Sequence, residues 1–315
     1  MSSATARALI AAAAVLLSAE AALAQMATQA QPDSSSVASQ AGASPKIKLG
    51  VFDPGAAFGK ADLQIEHIFM PWAGVDLKSL DAASRYAADR KRELLVTLEP
   101  WSWDRSLPDS ADDLKRTIIA GRYDPEIRAI CGKLGSLGTS TTVRWGHEMD
   151  LKNARYPWAN WNPGDYVAAY RHFVEVCRAA APRLAFMWSP RGEHDLLDYY
   201  PGDGYVDVVG ISVFGLQAYD KAAFGAERDF VALFGPSYEL AATLKKPIVI
   251  SEFGCSGDKT YVTRCMDLSV STLGRYPLLA GVVYFNDLEP GQWPAAYGRP
   301  DWRMKAETAS RFRLP

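Results

Sequence analysis

Eight short apolar runs rich in β-branched residues recur along the chain, with an amphipathic stretch after most of them, and this alternation constrains the fold more than any other feature. The runs are KIKLGVFD (46–53), IEHIFMPW (65–72), LLVTLEPW (94–101), TTVRWGHEM (141–149), LAFMWSP (184–190), VDVVGISVFG (206–215), KPIVISEFG (246–254) and AGVVYFND (280–287). Runs this continuous suit strands covered on both faces, as in a parallel sheet. Between them, stretches such as DLKSLDAASRYAADRKR, DPEIRAICGKLGSL and DYVAAYRHFVEVCRAAA space their apolar residues three and four apart, which is the pattern of a helix with one buried stripe. Strands alternating with helices give either a closed barrel or a doubly wound sheet. The segment after the first run, FDPGAAFGK, lacks the spacing of a dinucleotide loop. Residues 46–315 come close to the length of about 250 typical of a (β/α)8 barrel. The expected fold class is therefore α/β, a single (β/α)8 TIM barrel over 46–315, with no independent internal repeat.

Two other segments precede this domain. Residues 1–24 contain Arg7, an apolar run LIAAAAVLLS and the small-residue pattern Ala22-Leu23-Ala24, which describe a secretory signal peptide cut before Gln25. An uncleaved anchor is the alternative, but Glu20 interrupts the run and a span needs roughly 20 apolar residues. No cysteine stands at the cut site to take a lipid. Residues 25–45, QMATQAQPDSSSVASQAGASP, lack aromatics and carry one charge, so they read as a low-complexity linker. The expectation is a secreted or periplasmic protein, not inserted in a membrane after cleavage, and a monomer.

A formal net charge of −2 supplies no basic field for nucleic acid. Nine Trp and fourteen Tyr fit either an aromatic core or a cleft where ring faces stack on sugars. Export would place the four cysteines in an oxidising compartment. Four cysteines allow three pairings. Cys131 and Cys177 fall in helical segments that would be neighbours on a barrel, and Cys255 and Cys265 are close in sequence, so this is the pairing expected.

In a (β/α)8 barrel the active site collects at the C-terminal ends of the strands. There the sequence places Asp53, His67, Trp72, Glu99, Trp101, His147, Glu148, Trp188, Phe214, Glu252, Tyr284 and Asn286. The set is rich in carboxylates, which supply acid and base, and in aromatics, which supply sugar platforms. It points to glycoside cleavage of a polysaccharide. HEMD is not the metalloprotease motif, because Leu151 fills the position of the second histidine. No GxSxG elbow is present either. No metal site and no cofactor are expected.

The segments RWGHEMDLKNARYPWANW (144–161), AAYRHFVEVCR, FMWSPRG, YYPGDGYVDVVGISVFG (199–215), KPIVISEFG and VVYFN, in that order, resemble glycoside hydrolase family 26, a group of retaining (β/α)8 enzymes. The resemblance covers nearly all of 46–315. It implies that Glu148, in HEM, is the acid/base and that Glu252 is the nucleophile. It also implies that His147 touches a sugar hydroxyl and that Arg144 supports the carboxylates, a structural ion pair inside the barrel being the alternative. Trp158 of YPW, Trp101 and Trp188 are cleft candidates, for each of which a core position is the alternative. Glu99 and Phe214 join the substrate-binding set. Tyr284 takes a place where the family commonly has Trp.

The physical case for the pair is independent of the resemblance. A retaining glycosidase needs two carboxyl groups roughly 5 Å apart, one protonated and one ionised. Glutamates from the fourth and seventh strands can meet across a barrel mouth. The sequence departs from the mannan-cleaving pattern at two points. HEMD carries Asp150 where HEMN is usual, and SVFG carries Ser212 and Phe214 where a D-x-Y-G run is usual. Losing hydroxyl partners at a sugar site changes which epimer fits. The expected substrate is therefore a β-glucan, mixed-linkage or exopolysaccharide, cut internally at β-1,4 linkages, with β-1,4-mannan as the alternative. A carbohydrate-binding barrel without activity is the alternative of another class, and a glycanase that trims a nascent polymer is a third.

Overall fold

A computed structural model describes residues 47–314 apart from 60, 75, 102–109, 153–154, 292, 294–296 and 305–311. The signal peptide and linker expected over 1–24 and 25–45 lie outside the described residues. Eight parallel strands close into a barrel in sequence order: β1 (Lys48–Phe52), β2 (Ile65–Pro71), β3 (Glu93–Glu99), β4 (Thr141–Trp145), β5 (Ala185–Trp188), β6 (Val208–Leu216), β7 (Ile248–Ser256) and β8 (Leu279–Phe285), with β8 pairing back onto β1. The described helices are α1 (Ser79–Asp89), α2 (Ala111–Ile119), α3 (Asp124–Ser136), α4 (Pro163–Ala180), α5 (Gln217–Phe224), α6 (Phe230–Ala242), α7 (Lys259–Cys265) and α8 (Val270–Leu273). The architecture is the (β/α)8 barrel expected from the alternating runs.

Local chemistry starts the helices where they start. Asn162 caps α4 by accepting the Asp165 N–H, with Pro163 at the first helical position, where its missing donor costs nothing. Ser110, Asp229, Asp258 and Ser269 cap α2, α6, α7 and α8 in the same way. No helix among the described residues is long and apolar enough to cross a membrane.

The strands are apolar on both faces, and the two faces divide the labour. Val143, Trp145, Phe186, Trp188, Ile211, Ile250, Phe253, Val282 and Tyr284 face outward and join the helices in one continuous core. Facing inward, Ile65, Leu95, Met187, Val249 and Val283 form an apolar plug lower in the barrel. Above this plug the inward positions turn polar, with Thr97, Arg144, Ser189, Ser212, Ser251 and Glu252.

All four cysteines are paired. Cys131 of α3 bonds Cys177 of α4, with Cα atoms 5.3 Å apart, and Cys255 of β7 bonds Cys265 of α7, at 6.1 Å.

Candidate active site

Glu252 reaches the barrel interior because β7 is irregular. Strand side chains alternate between faces. Ile248 and Ile250 face the helices and Val249 faces inward, so unbroken alternation would turn residue 252 outward. The β6–β7 register slips between Ile211 and Ser212, so that Ile211 pairs with Ile250 but Ser212 pairs with Glu252. The extra residue, Ser251, hydrogen-bonds Ser189 at 3.1 Å within the barrel, and Glu252 then points inward too. Phe253 returns to the outer core. A β-bulge that re-aims one side chain in this way is a recurrent device beside active sites.

Arg144 of β4 holds that carboxylate. Its Nη1 donates to Glu252 Oε1 at 2.6 Å and to Thr97 Oγ1 at 3.2 Å, Nε to Ser189 Oγ at 2.8 Å, and Nη2 to Ser212 Oγ at 3.2 Å. Every nitrogen of the guanidinium thereby donates at least one hydrogen bond inside the barrel, and the residue is fully buried. Such burial is tolerated because the charge is paired and hydrogen-bonded throughout. Ser212, from the segment that departs from the D-x-Y-G run, is thus occupied with Arg144.

Glu148 stands three residues beyond the end of β4 rather than on the strand. Gly146 turns the chain into the left-handed region with φ +54°, and Glu148 itself adopts φ +55°. A non-glycine residue in that region costs about 1–3 kcal/mol and persists only where its surroundings hold it. Here the Glu148 N–H donates to Ser189 O at 2.8 Å. Burial pushes the Glu252 carboxyl up to about 7; Arg144 opposes this and the charge of Glu148 adds to it. Two carboxyl groups that feel each other titrate as a pair. The guanidinium at 2.6 Å favours the charged form of Glu252 and limits that rise.

A cleft of about 350 Å³ opens above Glu252, lined by Phe52, Phe69, Glu99, Trp101, Tyr156 and Phe285 among others. Glu99 and Trp101 line it together, the indole N–H donating to Glu99 Oε2 at 2.9 Å. Arg155 also borders the cleft, and donates to the buried Glu289 at 2.7 Å. Phe214 packs beside Phe285 and Trp302 at the mouth, with only 6 % of its surface exposed.

Other expected contacts sit elsewhere. Trp158 is fully buried, stacked 4.8 Å from Tyr156 and donating to His147 O at 2.6 Å, so no ring face is open to a sugar. Trp188 faces outward from β5 against Tyr200 in the core. Tyr284 also faces outward: its hydroxyl donates to Trp302 O at 2.7 Å, and it borders a separate cavity of about 650 Å³ behind β7 and β8. The inward residue at the end of β8 is Phe285. His147 is buried with Nε2 against Tyr156 Oη at 3.2 Å. Burial, reinforced by Arg144, keeps both His147 and His67 neutral imidazoles. Among the strand-end residues, Asn286 donates to Asp53 at 2.8 Å, and Trp72 stacks on Tyr123 in the core. Among the described residues no cluster of three His, Cys, Asp or Glu is arranged to hold a metal.

Phe52, Phe69, Tyr156 and Phe285 are the cleft aromatics that sequence reasoning missed, and Arg155, Asp287, Pro290 and Gly291 line the cleft without having been candidates either. Alternation was the available signal for Phe285, which shares a face with the inward Val283.

Comparison with known proteins places this geometry. The model of glycosyl hydrolase family 26 matches residues 143–255, the stretch that contains Arg144, Glu148 and Glu252. Endoglucanase H of Acetivibrio thermocellus is 26 % identical over 249 residues, covering 73 % of this chain and 26 % of that protein. A β-1,3-xylanase of a Vibrio species is 28 % identical over 109 residues, 32 % of this chain and 23 % of its own. The chain thus spans about a quarter of the length of these relatives. The solved structure of a family 26 β-mannanase from Bacteroides ovatus superposes with a TM-score of 0.59 at 15 % identity, covering 85 % of this chain and 88 % of that one.

Proposed function

We propose that the chain is a member of glycosyl hydrolase family 26, whose model matches residues 143–255, and a retaining endo-β-glycanase with Glu252 as nucleophile and Glu148 as acid/base. The observation that carries this reading is the buried Arg144–Glu252 contact at the floor of an aromatic-lined cleft. A carboxylate aimed up from a barrel interior and fixed by a guanidinium is in place to attack an anomeric carbon. As the C–O bond forms, the glycosidic C–O bond breaks and Glu148 gives its proton to the leaving oxygen. Water then attacks the glycosyl-enzyme, losing a proton to Glu148 and releasing Glu252 as carboxylate with the original anomeric configuration.

The substrate reading is a β-glucan. Ser212 and Phe214 stand where the mannan-cleaving pattern has Asp and Tyr, and the relative that aligns over most of the chain is named an endoglucanase. Purified protein offered mixed-linkage β-glucan, carboxymethyl-cellulose, β-1,4-mannan and β-1,3-xylan is expected to release reducing ends fastest from the mixed-linkage glucan, with early loss of viscosity. Preference for mannan would transfer the assignment to the alternative, and hydrolysis of none would refute the enzyme.

The pair also sets a pH dependence. Glu252 must be ionised to attack, so kcat/KM should fall as pH drops through about 7. Its folded-state value lies above the ordinary 4.5, so the folded chain binds more protons than the unfolded one between those limits. The contribution of this group to stability is therefore present below pH 4.5 and lost as pH rises through about 7. Arg144→Met removes the ion pair and the hydrogen bond that oppose the rise, so the acid limb should move to higher pH. A limb left in place would show that Arg144 does not govern the charge of Glu252.

A further inference from the structure

Asp150 lies two residues beyond Glu148 and has no part in the chemistry proposed above. It is 1 % exposed, and both carboxylate oxygens are taken. Oδ1 accepts the Arg191 N–H at 2.6 Å, and Oδ2 accepts those of Gly192 and Glu193 at 2.9 and 2.8 Å. These three successive donors belong to the loop that follows β5. We propose that Asp150 is a positioning residue that fixes the acid/base Glu148 by clamping the turn after β4 to the loop after β5. The proposal rests on the reading of Glu148 as acid/base.

The same loop carries the other holds on the turn. Ser189 O accepts the Glu148 N–H at 2.8 Å, and Ser189 Oγ accepts from Arg144. From its far side the loop is tied to the barrel wall. Arg191 Nη1 donates to Ser212 O at 2.7 Å, and Ser237 Oγ of α6 donates to Gly192 O at 2.9 Å. Gly192 has φ +108°, and a Cβ there would come within 2.5 Å of Ser237 Oγ, so this close approach of the loop to α6 requires glycine. Glu148 in turn has a left-handed backbone that its own sequence does not favour. A rigid loop gripping the chain at residues 148 and 150 supplies what holds it.

A carboxylate is the group that suits this task. Three converging N–H donors require an acceptor only, and an ionised Asp presents two acceptor oxygens with no proton. An amide presents one oxygen, and its NH2 would meet backbone N–H groups. The aspartate of HEMD, where Asn is usual, therefore bears on the position of the acid rather than on the epimer in the cleft, because no oxygen of Asp150 is left for a sugar.

Asp150→Asn should displace Glu148 without removing it. Misplacing a catalytic group by about 1 Å can cost about 10²-fold, so kcat on the polymer should fall at least about tenfold with KM little changed. The deficit should shrink on 2,4-dinitrophenyl β-cellobioside (the mannobiose counterpart if mannan is the polymer cleaved), whose leaving group needs no proton. An equal loss on both substrates, or no loss, would overturn the proposal. If Asp150→Asn fails to fold, Ser237→Ala decides by the same comparison, with a smaller deficit expected on the polymer alone. Glu148→Ala in the same assays separates the two failures. If it lacks the leaving-group dependence, the acid/base reading is wrong; if it shows it and the Asp150 and Ser237 variants do not, only the positioning role falls.

Discussion

Glu252→Ala should abolish polymer cleavage, with a loss on the order of 10⁵-fold or more, the scale on which removal of a covalent nucleophile acts. The variant retains the proton donor and the cleft but has no atom to form the glycosyl-enzyme. The truncated side chain leaves a space beneath the anomeric carbon, so azide or formate should restore turnover of an activated glycoside, now with inverted product. The substitution also strands the Arg144 guanidinium, since its contact with Glu252 is the only carboxylate contact it makes among the described residues. Breaking a buried pair by removing one partner costs about 3–5 kcal/mol. A lowered Tm is therefore expected together with rescue, and rescue distinguishes lost chemistry from lost fold. An inactive variant that azide does not rescue on any activated substrate, while remaining folded, would count against Glu252.

Glu148→Ala should behave differently. Proton donation by a positioned acid contributes about 10²–10⁴ in rate, so cleavage of the polymer, whose leaving alcohol is poor, should fall by at least that range. Dinitrophenolate leaves without a proton, so glycosylation should remain fast on that substrate. Deglycosylation then lacks its base, the intermediate should accumulate, and KM should drop with kcat. External azide, which needs no base, should give a β-glycosyl azide. Equal losses on good and poor leaving groups would remove Glu148 from the acid role.

Much of the fold can be read from the sequence, because eight apolar runs on a chain of this length leave few ways to cover both faces of a sheet. The strand and helix periods fall where the barrel has them, apart from strand ends such as Arg144-Trp145-Gly146, where β4 stops three residues short of Glu148. That early stop also explains the partner of Arg144. Counting in twos along an assumed strand sets Arg144 and Glu148 on one face, yet the guanidinium lies within the barrel on Glu252. Glu252 itself faces inward through a register slip at Ser251, a tertiary feature with no local signature in VISEFG. The aromatics divide for a simpler reason. Trp188 and Tyr284 occupy outward strand positions, beside inward Met187 and Phe285, and strict alternation sorts them where composition cannot. Trp158 lies in a polar loop, and only the packing of Tyr156 and His147 around it shows that its ring is covered.

The central claim, a covalent double displacement through Glu252, is tested most directly by trapping the intermediate. Incubation with the 2,4-dinitrophenyl 2-deoxy-2-fluoro-β-bioside of the sugar cleaved slows both steps but leaves a good leaving group, so the glycosyl-enzyme should persist. Mass spectrometry of the protease-digested protein is predicted to find one fluoroglycosyl adduct, on the peptide containing Glu252 and on that side chain. An adduct on another residue, or a burst of dinitrophenolate with no adduct, would contradict the account.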